Sequence, residues 1–261
     1  MTGASGEWAF EIENLHKTFV LRHYAAGSIK RAVLGAFRRG PVEVREVLHG
    51  IDLYVRRGET VALIGRNGSG KSTLLGLIAR VYRPTAGRVV VHGRMAPLLE
   101  LGAGFHHDLT GIENLELYSA ILGIPERVLR DRFDDIVGFA FDSPDMLEKL
   151  DTPLRNYSDG MKMRLGFSVA VHTDPDSLIV DEVLAVGDEA FQHKCFRRLA
   201  EFHASGKTIL FVSHDMHVVR QVATRVVWLH KGRIRMDGPT DEVVDAYVAA
   251  SEQPDFGDGS A

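Results

Sequence analysis

The sequence contains a single cysteine, no long apolar run and no excess of positive charge. With Cys195 alone among 261 residues, no disulfide can form within the chain, which suits a reducing compartment. No apolar run reaches the roughly 18 residues that a membrane-spanning helix needs, and no secretory signal pattern opens the chain. The net charge of -4 excludes a general basic field, so we expect no nucleic-acid partner.

The residues that are present include a glycine-rich loop of the kind that holds phosphate groups. The loop matches the full Walker A pattern and comprises Gly65, Arg66, Asn67, Gly68, Ser69, Gly70, Lys71 and Ser72, with Thr73 directly after it. A predicted buried strand precedes the loop and a predicted helix follows it, so backbone N–H groups and the helix N-terminus can surround a polyphosphate. We predict that Lys71 neutralises phosphate oxygens and that Ser72 coordinates Mg²⁺. A chance glycine-rich turn is the alternative.

Two more polar motifs follow apolar strands. The run 177–180 ends in Asp181 and Glu182, which predicts that Asp181 holds Mg²⁺ and that Glu182 polarises the attacking water. A solvated acidic strand end is the alternative. His214 follows the run 209–212, a strand expected beside the first one, where the imidazole could reach the γ-phosphate. An ordinary surface or core histidine is the alternative, since the chain has 12 histidines.

A fourth motif lies at a predicted helix N-terminus. The sequence Tyr157-Ser158-Asp159-Gly160-Met161 resembles the LSGGQ signature of ABC ATPases and retains Ser158 and Gly160. The two retained residues supply a hydroxyl and an unobstructed backbone, which together favour an anion. One chain does not need two such helix ends for one γ-phosphate, whereas two chains arranged head to tail do. The motif therefore predicts a dimer of two copies, with a simple serine helix cap as the alternative.

The order of the four motifs is similar to that of ABC transporter nucleotide-binding domains over essentially the whole chain. Three longer stretches, at 98–114, 157–168 and 181–192, resemble the branch that exports polysaccharide and teichoic acid. The resemblance implies that Phe19 stacks on adenine, with Tyr24 as a less favoured candidate and simple strand packing of Phe19 as the alternative. It also places Glu100 where most members have a glutamine that contacts Mg²⁺.

The resemblance implies an α/β fold: a P-loop NTPase (RecA-like) core with an antiparallel β subdomain and an inserted α-helical subdomain. The expected boundaries are 8–250 for the whole ATPase domain, 8–100 and 172–250 for the core, 105–171 for the helical part and 251–261 for a disordered tail. It further implies ATP and Mg²⁺ as cofactors, a second copy and integral membrane permease subunits as partners, and a peripheral position on the cytoplasmic face of the membrane. The chain ends soon after its last predicted helix, so no carbohydrate-binding domain is expected.

The function expected from these observations is ATP hydrolysis that drives export of a lipid-linked polysaccharide. A soluble ABC ATPase acting on ribosomes or DNA and an exporter of lipids or drugs are the alternatives.

The segment 22–42 contains Arg22, Lys30, Arg31, Arg38 and Arg39 and no acidic residue before Glu43, with apolar residues at helical spacing. It predicts a basic amphipathic insert at an anionic membrane surface, or a helix packed on its own domain.

Overall fold

The computed structural model describes residues 6–22, 42–99, 102, 104–181 and 188–252. Most of the predicted insert at 22–42, the alternative aromatic Tyr24, the acidic residues Glu100 and Glu182, and nearly all of the predicted tail lie outside the described residues.

Nine strands form two sheets in the described part of the chain. The strands are β1 (Trp8–Arg22), β2 (Val42–Arg56), β3 (Thr60–Ile64), β4 (Ala86–Val91), β5 (Met95–Leu98), β6 (Ser177–Val180), β7 (Thr208–Val212), β8 (Arg225–His230) and β9 (Arg233–Pro239). An antiparallel sheet has the order β2-β1-β4, and a six-stranded sheet has the order β5-β6-β7-β3-β8-β9. Pairs within the larger sheet are parallel except for β8 with β9.

Eight α-helices accompany these strands in the same part of the chain. They are α1 (Lys71–Ile78), α2 (Gly111–Ile121), α3 (Glu126–Ala140), α4 (Pro144–Leu147), α5 (Asp159–His172), α6 (Glu189–Ala204), α7 (Met216–Val222) and α8 (Thr240–Ser251). Before a block of consecutive helices, α2 to α5, one helix lies among five strands, and after the block strands and helices alternate from β6 to β8. This order is typical of an α/β core that carries a helical insertion.

Strand β3 shows why the apolar run before the glycine-rich loop carries no polar alternation. All five of its residues are buried. Val61 and Leu63 pack in a cluster with the antiparallel sheet and helix α1, whereas Ala62 and Ile64 pack in a second cluster with α5, α6 and α8. Because neighbouring side chains of a strand point to opposite faces, a central strand covered on both faces must be apolar throughout. The loop that follows β3 therefore starts at the end of a fully buried strand inside the larger sheet.

The helical block has a hydrophobic core of its own. Leu115, Ile136, Leu154 and Leu165 are fully buried there, and they come from α2, α3, a short 3₁₀ turn and α5. Helix α2 begins with a capping box, in which the Thr110 hydroxyl accepts from the N–H of Glu113 and the Glu113 carboxylate accepts from the N–H of Thr110.

Pro125 is the N-cap residue that precedes α3. One strand, β5, was not expected from the sequence. It lies at the edge of the larger sheet and pairs with β6 alone. Within the described ranges, no helix has both the length and the apolar character required to cross a bilayer.

Candidate functional site

The loop between β3 and α1 adopts backbone conformations that only glycine tolerates well. Gly65, Gly68 and Gly70 have φ angles of 146°, 79° and 104°. At two of these positions the surroundings also exclude a side chain: a Cβ on Gly65 would lie 2.2 Å from the carbonyl oxygen of Leu229, and one on Gly70 would lie 2.6 Å from Leu48. The spacing of glycines in the sequence is thus a requirement of this backbone path.

Lys71 closes the loop from inside. Its side chain is buried, with 6% exposure, and its Nζ donates hydrogen bonds to the carbonyl oxygens of Gly65 at 2.7 Å and Arg66 at 3.0 Å. A buried ammonium group needs such partners because desolvation disfavours the charge. The bonds hold a positive charge at the centre of the loop, where an anionic ligand would meet it.

The N-terminus of α1 lacks the polar side chains that usually satisfy such an end. Its N-cap is Gly70, which makes no side-chain hydrogen bond, and its first turn contains no acidic residue. The hydroxyl oxygen of Ser69 is buried and makes no hydrogen bond with any described residue. Because the first N–H groups of a helix have no partner within the helix, this end is suited to an anion.

The order of the larger sheet brings the other predicted residues to the same edge. Strand β3 pairs with β7, and β7 pairs with β6, all in parallel. Their carboxyl ends are therefore neighbours, and they lead into the glycine-rich loop, His214 and Asp181, respectively. The sequence prediction that His214 follows the strand beside the one ending at Asp181 agrees with this pairing.

A cleft of about 370 Å³ unites most of these residues. Its lining includes the predicted residues Phe19, Asn67, Gly68, Gly70, Lys71, Ser72, Thr73, Asp181 and His214. It also includes Arg45 and Val47, which the sequence reasoning missed. Both lie on β2, and Arg45 is the strand partner of Phe19 across the hairpin. Only strand pairing brings them to the cleft, and no local sequence pattern announces it.

The remaining predicted residues lie elsewhere. Gly65, Arg66 and Ser69 belong to the loop but do not line the cleft. Ser158 and Gly160 are not among the lining residues either. Glu182 and Glu100 lie outside the described residues, so their predicted roles remain predictions.

Ser158 and Gly160 form the start of helix α5. Ser158 is the N-cap residue, and its hydroxyl accepts a hydrogen bond of 3.2 Å from the N–H of Met161. Gly160 has an ordinary helical conformation, and a Cβ there would meet only the Ser158 hydroxyl, at 3.9 Å. Packing among the described residues therefore gives no reason for a glycine at this position.

The cleft combines a buried cation, a helix N-terminus and two oxygen donors. The Ser72 hydroxyl and the Asp181 carboxylate lie on one lining, and oxygen donors of this kind suit Mg²⁺. The described part of the chain contains no group of three His, Cys, Asp or Glu residues arranged to hold a metal on its own. A divalent cation here would share its coordination with a ligand such as a polyphosphate. The arrangement thus fits a nucleoside triphosphate with its metal.

Comparisons with known proteins agree with this chemistry. A family model described as ABC transporter matches residues 48–185. The O-antigen export system ATP-binding protein RfbB of Klebsiella pneumoniae is 43% identical over 247 residues, which cover 94% of this chain and 99% of the relative. The teichoic acids export ATP-binding protein TagH of Levilactobacillus brevis is 45% identical over 200 residues, which cover 77% of this chain and 54% of the relative.

Solved structures show the same fold. One described as an ATP-binding subunit of an ABC transporter has a TM-score of 0.70 and 24% identity, covering 92% of this chain and 93% of the other. A dimeric ATP-binding cassette in a post-hydrolysis state bound to ADP and Pi has a TM-score of 0.67 and 21% identity, covering 88% and 98%. The predicted fold class, a P-loop NTPase core with mixed α/β sheets and helices, is confirmed. The family model spans more than half of the chain and a relative of 43% identity covers nearly all of it, so this chain belongs to the ABC transporter family, as one of its nucleotide-binding ATPase chains.

Proposed function

We propose that this chain is the ATP-binding and ATP-hydrolysing subunit of an exporter that moves a lipid-linked polysaccharide across the cytoplasmic membrane. The observation that carries the proposal is the near full-length similarity to a protein named for O-antigen export, at 43% identity over 94% of the chain. A second group of relatives is named for teichoic acid export. Relatives named for the export of O-antigen and of teichoic acid favour a polymer of this kind over a drug or a simple lipid as the transported substrate.

The cleft supports a division of roles among its residues. Lys71 would neutralise the β- and γ-phosphate oxygens, and the Ser72 hydroxyl and Asp181 would hold Mg²⁺, which offsets phosphate charge. Phe19 would stack on the base. His214 would approach the γ-phosphate from the end of β7.

Two acidic residues outside the described ranges complete the proposed set of roles. Glu182 would take up a proton from the attacking water as general base. Glu100 would add an oxygen ligand to the metal in place of the glutamine that most family members have.

A second copy of the chain would complete the site. Ser158 and Gly160 do not line the cleft, and a side chain at Gly160 would meet almost nothing within the chain. An exposed helix N-terminus of this kind is available to a ligand held by another molecule. We infer a head-to-tail dimer in which α5 of one copy faces the triphosphate bound by the other.

A membrane partner would dock beside the cleft. An apolar groove of about 270 Å³ adjoins it, lined in part by Val81, Tyr82 and Ile121, which are 61%, 39% and 56% exposed. Exposed apolar residues that line one groove mark an interaction surface. We propose that a permease subunit occupies this groove and holds the chain at the cytoplasmic face of the membrane. The basic segment 22–42 would lie near anionic lipid or substrate at the same face.

The proposal is tested in a cell that depends on this chain for its surface glycan. Replacing the chain by its Glu182→Gln variant should remove the glycan from the surface and accumulate lipid-linked glycan inside. Tagged wild-type chain should co-purify with a membrane protein of several spans. Normal surface glycan in the variant, once its ATP hydrolysis is shown to be blocked, would reject the proposed substrate. Co-purification with ribosomes or DNA instead of a membrane protein would favour a soluble ABC ATPase.

A further inference from the structure

The aromatic ring of Phe19 in the cleft does not lie there alone. Its centroid is 5.4 Å from that of Tyr82, with an interplanar angle of 88°, which is an edge-to-face contact. The ammonium nitrogen of Lys17 lies 4.7 Å from the Phe19 centroid and 5.7 Å from the Tyr82 centroid. Tyr82 itself does not line the cleft. It therefore contacts Phe19 from outside the space that a ligand would fill.

The backbone of Tyr82 is attached to the helix that follows the glycine-rich loop. The N–H groups of Val81 and Tyr82 both donate to the carbonyl oxygen of Gly76, at 2.8 Å and 3.1 Å. The Tyr82 ring lies over Gly76 itself, because a Cβ added there would be 2.8 Å from both Cδ2 and Cε2 of the ring. The absence of a side chain at Gly76 thus makes room for the tyrosine.

The residues after Tyr82 are attached to the strand that carries Phe19. The Nζ of Lys17 donates to the carbonyl oxygen of Arg83 at 2.9 Å. The N–H of Thr18 donates to the Thr85 hydroxyl at 3.0 Å, and the N–H of Thr85 donates to the carbonyl oxygen of His16 at 2.9 Å. Hydrogen bonds on both sides of Tyr82 therefore fix its ring between helix α1 and strand β1.

We propose that Tyr82 is a positioning residue for the nucleotide base: it holds the Phe19 ring in the orientation that stacks on adenine. The inference rests on the proposed function, because it assumes that the cleft binds ATP. Helix α1 would place the phosphates. Through Gly76 and Tyr82 it would also fix the distance from the phosphates to the Phe19 ring on which the base stacks. Tyr82 would contribute only to the binding of the base. Its loss should therefore weaken the binding of ATP and leave the binding of a phosphate chain without a base unchanged.

The test compares two ligands on the purified full-length chain. Tyr82→Ala should raise the Kd for ATP about three- to tenfold, the range expected for loss of an aromatic pair, and leave the Kd for inorganic tripolyphosphate unchanged. Tyr82→Phe keeps the ring and should restore wild-type affinity. Tyr54→Ala is the matched control: Tyr54 is 37% exposed and contacts Trp8 in an aromatic pair of the same sheet, outside the cleft. It should change neither Kd.

A second variant moves the tyrosine without removing it. Gly76→Ala places a methyl group against the ring and should weaken ATP binding in the wild-type background. It should have no further effect in the Tyr82→Ala background, because the clash is then absent. An equal effect of Gly76→Ala in both backgrounds would overturn the inference. So would equal loss of affinity for ATP and tripolyphosphate in Tyr82→Ala, or no loss for either.

Failure of the inference and failure of the proposed function give different results. If Lys71→Ala leaves the Kd values for both ligands unchanged, the cleft does not bind triphosphate and the proposed function fails. If Lys71→Ala weakens both and Tyr82→Ala weakens neither, the proposed function stands and the role of Tyr82 is wrong.

Discussion

The ammonium nitrogen of Lys71 donates a hydrogen bond of 2.7 Å to the carbonyl oxygen of Gly65, so the first residue of helix α1 is bonded to the first residue of the loop before it. The loop is thus closed by a charged group. The same group therefore stabilises the loop and attracts an anion, and a substitution there affects both.

Lys71→Ala should lower the affinity for ATP about 10- to 100-fold, because hydrogen bonds to a charged group contribute about 1.5–3 kcal/mol each. Calorimetric titration of the purified chain with ATP measures the effect. Lys207→Ala serves as the control, since Lys207 precedes β7 at the opposite end of the strand from the cleft and pairs with Asp174. Unchanged affinity in Lys71→Ala would show that the loop does not hold the triphosphate.

Glu182→Gln should bind ATP normally and hydrolyse it at least about 100-fold more slowly, because an amide cannot accept the proton of the attacking water. Release of phosphate under saturating ATP is the measurement. Glu189→Gln makes the same chemical change on the exposed first turn of α6, and it should hydrolyse at the wild-type rate. Near-normal turnover in Glu182→Gln would remove this residue from the proposed chemistry.

Gly160→Asp should abolish ATP-dependent dimerisation and leave ATP binding by the single chain intact. A carboxylate at that position would repel the phosphates held by the second copy, whereas among the described residues an added Cβ would meet only the Ser158 hydroxyl, at an ordinary contact distance of 3.9 Å. The Glu182→Gln background keeps ATP bound, so light scattering during gel filtration can report the mass. Gly138→Asp is the matched control, because Gly138 is also helical and has nothing within 4 Å of an added Cβ. A dimer that persists in Gly160→Asp would contradict the head-to-tail arrangement.

Burial raises the pKa of the Cys195 thiol to about 12. In the unfolded chain the thiol ionises near pH 8.5, so the folded state binds more protons above that pH and stability falls as the pH rises. The contribution of the buried thiol to the free energy of unfolding is present below pH 8.5. It should decrease by roughly 1–2 kcal/mol between pH 8 and pH 10. Denaturant titrations of wild type and Cys195→Ala at both pH values measure it. The wild type should lose more stability than the variant, and equal losses would show that the thiol is accessible to water.

Much of the fold follows from local patterns. The buried strands β3, β6 and β7 are apolar runs without alternation, which is what a sheet covered on both faces requires. Helices α2 and α5 begin at capping residues, Thr110 and Ser158, that the sequence displays. These signals are local because the physical cause, burial or an unsatisfied helix end, acts on neighbouring residues.

Strand β5 shows where local patterns fail. It is only four residues long and contains Pro97, which argues against a strand in general. Proline cannot donate to a ladder, but an edge strand needs bonds on one side only, and β5 is at the edge. Whether a segment with proline can form a strand therefore depends on the position of the strand in the sheet, which the local sequence does not predict.

Some residues of the candidate site could be predicted from local sequence patterns, and others could not. Lys71, Ser72, Asp181 and His214 belong to motifs, whereas Arg45 reaches the cleft through strand pairing. Hydrogen bonds from the residues around Tyr82 to helix α1 and strand β1 bring its ring to Phe19. No local sequence pattern predicts these long-range contacts.

The nucleotide cleft and the apolar groove share two lining residues, Ser72 and Asp181. A ligand in one and a protein segment in the other would contact the same two side chains, so their binding equilibria are linked. Linkage is reciprocal: any gain in nucleotide affinity caused by the partner equals the gain in partner affinity caused by the nucleotide. Hydrolysis would then change the strength of the partner contact by the free energy with which the partner had favoured the triphosphate over the products.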